Sequence, residues 1–138
     1  MDLVIDANVF LSTLISPSGK TSNLLFNERL KLFAPEWLLE EFEEHKTEIL
    51  EKTKLAEEEF ELFLSIISAR VEFIPKIEFE NYLKEAETLT PDKDDREYFA
   101  LALKLKANIW TNDKKFKEQN KILVYNTTEL LTVFNSTN

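Results

Sequence analysis

The chain has 138 residues, 43% of them apolar and 11 of them Phe, which is enough for one domain with a sizeable core. It contains no cysteine, so disulfides, thiolate metal sites and cysteine nucleophiles are excluded. A net charge of -9, from 17 Lys+Arg against 26 Asp+Glu, speaks against broad nonspecific binding to nucleic acid but leaves room for a local basic path.

In chain order, residues 2–5 read as a buried strand. Asn8 to Leu14 starts a helix that Ser16-Pro17-Ser18-Gly19 interrupts, before Thr21-Ser22-Asn23 caps the next apolar turns. Lys31-Leu32-Phe33 is a second short strand. Pro35 suits the first position of a helix running through Thr47, and a charged helix follows from Leu55 to Arg70. Val71 to Ile74, stopped by Pro75, is the third strand, and Glu78 to Thr88 is an amphipathic helix. A loop at Thr90-Pro91-Asp92 leads to a long helix from Asp94 or Asp95 to Lys106. Asn108 to Thr111 is strand four, Asp113 to Lys117 a single helical turn and Ile122 to Tyr125 strand five, and Thr127 or Thr128 caps a last helix through Phe134.

Strands alternating with helices predict an α/β domain whose parallel sheet is covered on both faces. No repeat, low-complexity tract or linker divides the chain, so residues 1–138 are expected to form a single domain. The N-terminus lacks a basic segment followed by an apolar stretch, and no apolar run approaches the roughly 18 residues of a membrane span. A soluble, cytoplasmic protein with no membrane partner is expected.

Four acidic positions carry the chemistry. Asp6 ends the apolar run Leu3-Val4-Ile5, at the sheet edge where open α/β folds bind ligands. It also reads as a helix N-cap, and the two roles are compatible because a cap uses one oxygen. Between Glu36 and Glu48, a turn of roughly 100° per residue puts Leu38, Phe42 and Ile49 on the apolar face, Glu41 at its border and Glu40 away from it. Asp92, Asp94 and Asp95 crowd the start of a helix whose run Tyr98 to Leu103 is too apolar for the surface. Capping and the helix dipole account for one or two of these acids, less easily for three. Asp113 ends Ile109-Trp110-Thr111-Asn112, where Thr111 and Asn112 can hydrogen-bond and orient it; the alternative is a simple turn Asp.

Two carboxylates about 4 Å apart repel by about 4 kcal/mol at an effective dielectric near 20, so gathering several for structure alone would destabilise the fold. A divalent cation reverses that sign. Oxygen ligands without His or Cys select Mg²⁺ or Mn²⁺, and metal-assisted attack of water on a phosphodiester is the natural reaction.

In these places the sequence resembles the PIN-domain nucleases, along nearly its whole length. The resemblance rests on Ile5-Asp6-Ala7-Asn8, on Glu41-Phe42, on Asp95 opening a helix with Ala100 and Ala102, and on Thr111-Asn112-Asp113. The separation from the last Asp matches Asp95 better than Asp94. The likeness implies a Rossmann-like three-layer fold with a parallel sheet in the order 3-2-1-4-5, and Mg²⁺ or Mn²⁺ at the acidic cluster. It implies an endoribonuclease in which Asp6, Asp95 and Asp113 hold metal and Glu41 binds metal or activates water. Asn8 and Thr111 would orient them, with Asp92 and Asp94 as outer partners. Small stand-alone members of this kind include toxins of toxin–antitoxin pairs, of the VapC type, which would add an antitoxin protein as partner.

Two other enzyme and binding readings stay open. A Rossmann-like phosphatase of the haloacid dehalogenase kind uses a first-strand Asp as nucleophile, but normally has a second Asp where this chain has Asn8. A catalytically silent PIN-like module would bind RNA or protein without turnover. Lys20, Lys114, Lys115, Lys117 and Lys121 are the basic residues expected nearest the site and could line a phosphate path or simply a solvated surface. His45, the only histidine, reads as a packing residue on the apolar side of its helix. Between Leu55 and Arg70 two apolar stripes run nearly opposite. One faces the sheet, and the other is expected to meet the Trp37–Leu50 helix, a second protomer or an antitoxin segment, the basis for expecting a homodimer.

Overall fold

The computed structural model describes residues 1–135. Five short apolar runs form one parallel sheet: β1 (Asp2–Ile5), β2 (Lys31–Pro35), β3 (Val71–Ile74), β4 (Asn108–Trp110) and β5 (Val124–Tyr125), in the order β3-β2-β1-β4-β5. β1 is the centre of the sheet, with Val4 opposite Phe33 on one side and Ile109 on the other. Leu3, Val4 and Ile5 are fully buried, which is why the strand reads as a continuous apolar run rather than an alternation.

The helices are α1 (Ala7–Ile15), α2 (Lys20–Leu25), α3 (Trp37–Glu44), α4 (Lys46–Thr53), α5 (Glu57–Ser68), α6 (Leu83–Ala86), α7 (Lys93–Leu105) and α8 (Thr127–Asn135). The chain steps from β1 outward to β3 and then returns past β1 to β4. Right-handed crossovers therefore put the connections on opposite faces. On one face α1 packs against α2 and α5, and α8 packs against α2; on the other, α7 lies across β1, β2 and β4. Ala100 and Ala102, both buried, let α7 approach the sheet closely. The three-layer architecture and strand order are those the sequence pattern and its family likeness imply. No described helix is long and apolar enough to cross a membrane.

Several boundaries differ from the sequence reading. Pro35 is the last residue of β2, opposite Ile74, rather than the first of a helix; a φ near -65° suits both places, and the ladder to β3 decides. The helix expected to run through Thr47 ends at Glu44, and α4 restarts after His45, whose ψ of 17° breaks the path. Neither Pro nor Gly marks that break. The expected helix at Glu78–Thr88 is two 3₁₀ turns, Lys76–Glu78 and Glu80–Tyr82, followed by the short α6, an arrangement that buries Phe79 and Ala86 while Ile77 stays 75% exposed. Gly19 precedes α2, not the Thr21-Ser22-Asn23 cap. Asp92 caps α7 by accepting the Asp94 N–H at 2.9 Å, one or two residues earlier than expected. Asn126 caps α8 in place of Thr127 or Thr128: it accepts the Glu129 N–H at 2.8 Å, while Glu129 accepts the Asn126 N–H at 2.9 Å. On α5, Phe60, Leu64 and Ile67 are buried, but the opposite stripe keeps Leu62 58% and Ile66 45% exposed in the protomer.

Lys106 ends α7 in the left-handed region, with φ 56° and ψ 38°. A side chain there costs roughly 1–2 kcal/mol, part of which glycine gives back through unfolded-chain entropy. Lys106→Gly is expected to raise the unfolding free energy by about 0.5–1 kcal/mol, read from a shift of the chemical denaturation midpoint at unchanged slope.

Candidate active site

The strand order reverses between β1 and β4, so a crevice opens where both strands end. Asp6 follows β1 directly and is 3% exposed. Its Oδ1 accepts the Val9 N–H at 3.0 Å and so caps α1, while its Oδ2 accepts from Thr111 Oγ1 at 2.5 Å. The cap is as expected, but the second oxygen is engaged by Thr111 rather than left free. Thr111, fully buried just after β4, also accepts the Asp113 N–H on its hydroxyl oxygen at 3.0 Å. One hydroxyl thus fixes the Asp6 carboxylate and bends the chain that carries Asp113. Asp113 in turn accepts the Lys115 N–H at 3.0 Å and opens a 3₁₀ turn, Lys114–Glu118.

Asp95 reaches the crevice from the first turn of α7, and Glu41 from α3. Asp6, Asn8, Glu41, Asp94, Asp95 and Asp113 all line one hollow of about 230 Å³, so the four expected acids are brought to one place. Asp92 lies outside that lining but close enough for its charge to act on Asp95. Asn8 lines the hollow and is exposed; no described hydrogen bond joins it to an acid, whereas Thr111 donates to Asp6. Of the lysines, Lys115 is near enough to act on Asp95, Lys114 lines an adjoining hollow, and Lys20 starts α2 and lines neither. Lys117 pairs with Glu129, and Lys121 with Glu85 at 2.6 Å.

The acids strain against one another. Burial first, and then the charge of Asp113, push Asp6 up to about 6, against the lowering effect of Thr111 and the Val9 N–H. Burial, then Asp92, Asp113 and Asp6, push Asp95 up to about 6, with Lys115 opposing. The charge of Lys115 offsets this repulsion only in part. All the donors of the set are carboxylate oxygens, which fits a hard divalent cation. Among the described residues, the trio whose ligating atoms lie within 4.8 Å of one another is Glu41, Glu44 and His45, not Asp6, Asp95 and Asp113. Oxygens bound directly to one Mg²⁺ lie at most about 4.2 Å apart, so in this arrangement at least one of the three aspartates would reach the ion through a water.

Three residues of this region were not expected there. Tyr98 lines the hollow, accepts the Ala7 N–H at 3.2 Å, and is held above the ordinary phenol range by burial and then by Asp6. Trp37 lines it too, tilted against Tyr98 with ring centroids 5.8 Å apart. Helical spacing was the available signal, since Tyr98 stands three residues after Asp95 and Trp37 four before Glu41. His45 is not packed inside: its side chain is 51% exposed, and Nε2 lies 3.5 Å from Glu41 Oε2.

Residues 4–129 match the PIN domain. The chain belongs to the PIN-domain family. Members of this family are typically nucleases and usually bind divalent metals. Among solved structures, a chain of VapBC2 from Rickettsia felis bound to a DNA fragment from their promoter matches with a TM-score of 0.68 and 18% identity. The match covers 91% of this chain and 98% of that one. No curated protein matches the sequence. At that identity the structural likeness speaks for the PIN fold alone.

A carboxyl raised in the folded state binds its proton more readily than in the unfolded chain. Its penalty is therefore full above pH about 6 and is relieved as pH falls toward the ordinary aspartate value of 3.8. Without metal at pH 7, Asp6→Asn is expected to melt higher than wild type, and the gap should narrow by pH 5. Calorimetry of both proteins across that range checks this, and a gap independent of pH would sink it.

Proposed function

We propose that this PIN domain is a divalent-metal-dependent endoribonuclease. The observation that carries the reading is the convergence of Asp6, Asp95, Asp113 and Glu41 on one hollow, with two of the aspartates raised to about 6. Asp6, Asp95 and Asp113 would hold Mg²⁺ or Mn²⁺, which when bound supplies Lewis-acid stabilisation of the phosphoryl oxygens and a water of lowered pKa. Thr111 keeps Asp6 in one rotamer by donating to Oδ2. Glu41, its side chain 45% exposed on the rim, accepts the proton of the attacking water. Tyr98 stays protonated at neutral pH, and its O–H can donate to an oxygen in the hollow.

The test is cleavage of labelled RNA with Mn²⁺, with Mg²⁺ and with EDTA, beside Asp6→Asn and a generic phosphomonoester. Metal-dependent internal cuts should appear, and should fall in the variant by more than the roughly 100-fold that loss of an outer partner can cost. Phosphomonoesterase activity alone would favour the phosphatase; binding without cutting would favour a silent module. Thr111→Val removes the donor to Asp6, and the Mn²⁺ affinity read by titration is expected to weaken roughly 10–100-fold.

A toxin role in a toxin–antitoxin pair extends this proposal. It is supported by the likeness to a chain of the VapBC2 assembly. Growth arrest on expression, relieved by the product of an adjacent small reading frame and absent in Asp6→Asn, is the expected outcome.

A further inference from the structure

Beside the acids, across Asp113, lies a second hollow of about 440 Å³, walled by Asn112, Asp113, Lys114, Lys117, Asn126 and Thr128. Its walls present an excess of hydrogen-bond donors, for a local reason. Asn112 Oδ1 accepts the Thr127 N–H at 2.9 Å, and Asn126 Oδ1 accepts the Glu129 N–H at 2.8 Å. Both side-chain oxygens are thus consumed in capping the start of α8. An amide whose oxygen is so committed offers only its NH₂ group. Among the described residues neither Nδ2 has an acceptor, and Lys114 and the Thr128 hydroxyl have no hydrogen-bond or ion-pair partner. Lys117 is tied to Glu129. The helix N-terminus is occupied by its caps, so the recognising groups are side chains.

Two amide NH₂ groups, a hydroxyl and an ammonium, all on residues that line one hollow, match a ligand made of acceptors with a negative charge. We propose that this hollow is a phosphate subsite, which seats an internal phosphodiester of the RNA strand next to the one that is cut. The inference rests on the nuclease reading of the neighbouring acids and names where the substrate backbone leaves them. It also reconciles polyanion binding with a net charge of -9, because attraction is confined to one wall adjoining the site. Asp113, the single carboxylate in that wall, is shared with the acid hollow.

The Asn126→Asp variant separates recognition from structure. Aspartate caps a helix as well as asparagine does, so the fold should be kept, while the donor becomes an anionic oxygen. Binding of a fluorescent single-stranded RNA is measured by anisotropy in an Asp6→Asn background, so that no turnover is needed. Asn126→Asp should weaken binding at least about tenfold at an unchanged melting temperature. Lys114→Ala should lower the slope of log K against log salt by about 0.7, as loss of one phosphate contact on a single strand requires, and Lys114→Arg should restore it. In the cleaving wild type, one neutral methylphosphonate beside the cut should reduce kcat/KM, and Lys114→Ala should abolish that sensitivity. A free 5′-phosphate as the true ligand would show as an effect only on 5′-phosphorylated RNA and would overturn the internal assignment. RNA cut normally by both variants, with binding and salt slope unchanged, would overturn the subsite and leave the nuclease standing. Weakened binding in the variants with no cutting by wild type would do the reverse. RNA neither bound nor cut sinks both.

Discussion

The hydrogen bond from Thr111 to Asp6 joins the ends of two neighbouring strands, and the candidate site is organised about it. β1 and β4 lie side by side where the sheet changes direction, so their carboxyl ends face the same crevice. Thr111 can reach Asp6 only because this pairing holds, 105 residues apart in sequence. The same hydroxyl accepts from the Asp113 backbone, which commits the loop after β4 to the crevice. Ala100 and Ala102 then bring α7 down onto β1 and β4, and with it Asp95.

This arrangement works against the stability of the protein that carries it. Burial and mutual repulsion both disfavour the charged forms of Asp6 and Asp95, and the hydrogen bonds from Thr111 and Val9 offset only part of this. An apolar core that includes Trp110, Phe10, Phe60, Phe79, Phe99 and Phe116, each almost wholly buried, supplies the compensation. A strained polar cluster on a well-packed frame is how ligand sites are commonly built. The wall beyond Asp113 has the same logic on a smaller scale: Asn112 and Asn126, which line the hollow, spend their oxygens on α8 and keep their NH₂ groups uncommitted.

Much of this was legible in the sequence, and the failures have local causes. The five strands were readable because each is an apolar run bounded by polar or turn residues, and the family likeness supplied their order. Helix ends were less so. Asp92, Asp94 and Asp95 are all competent caps, and only the hydrogen bond to the Asp94 N–H distinguishes Asp92. Asn126, Thr127 and Thr128 present the same ambiguity. The break at His45 has no punctuating residue, and it is what leaves His45 exposed beside Glu41 rather than packed.

By itself the sequence determined the α/β class, the buried first strand and the strand-end acids Asp6 and Asp113, because periodicity and strand termination are local properties. Helical spacing also picked Glu41 over Glu40, and the family likeness singled out Asp95. Only the tertiary structure decided that Thr111 serves Asp6 and Asp113 together, that Tyr98 and Trp37 border the acids, and that Asp6 and Asp95 are raised. Those properties depend on burial and on distances between residues far apart in the chain, which no local pattern encodes.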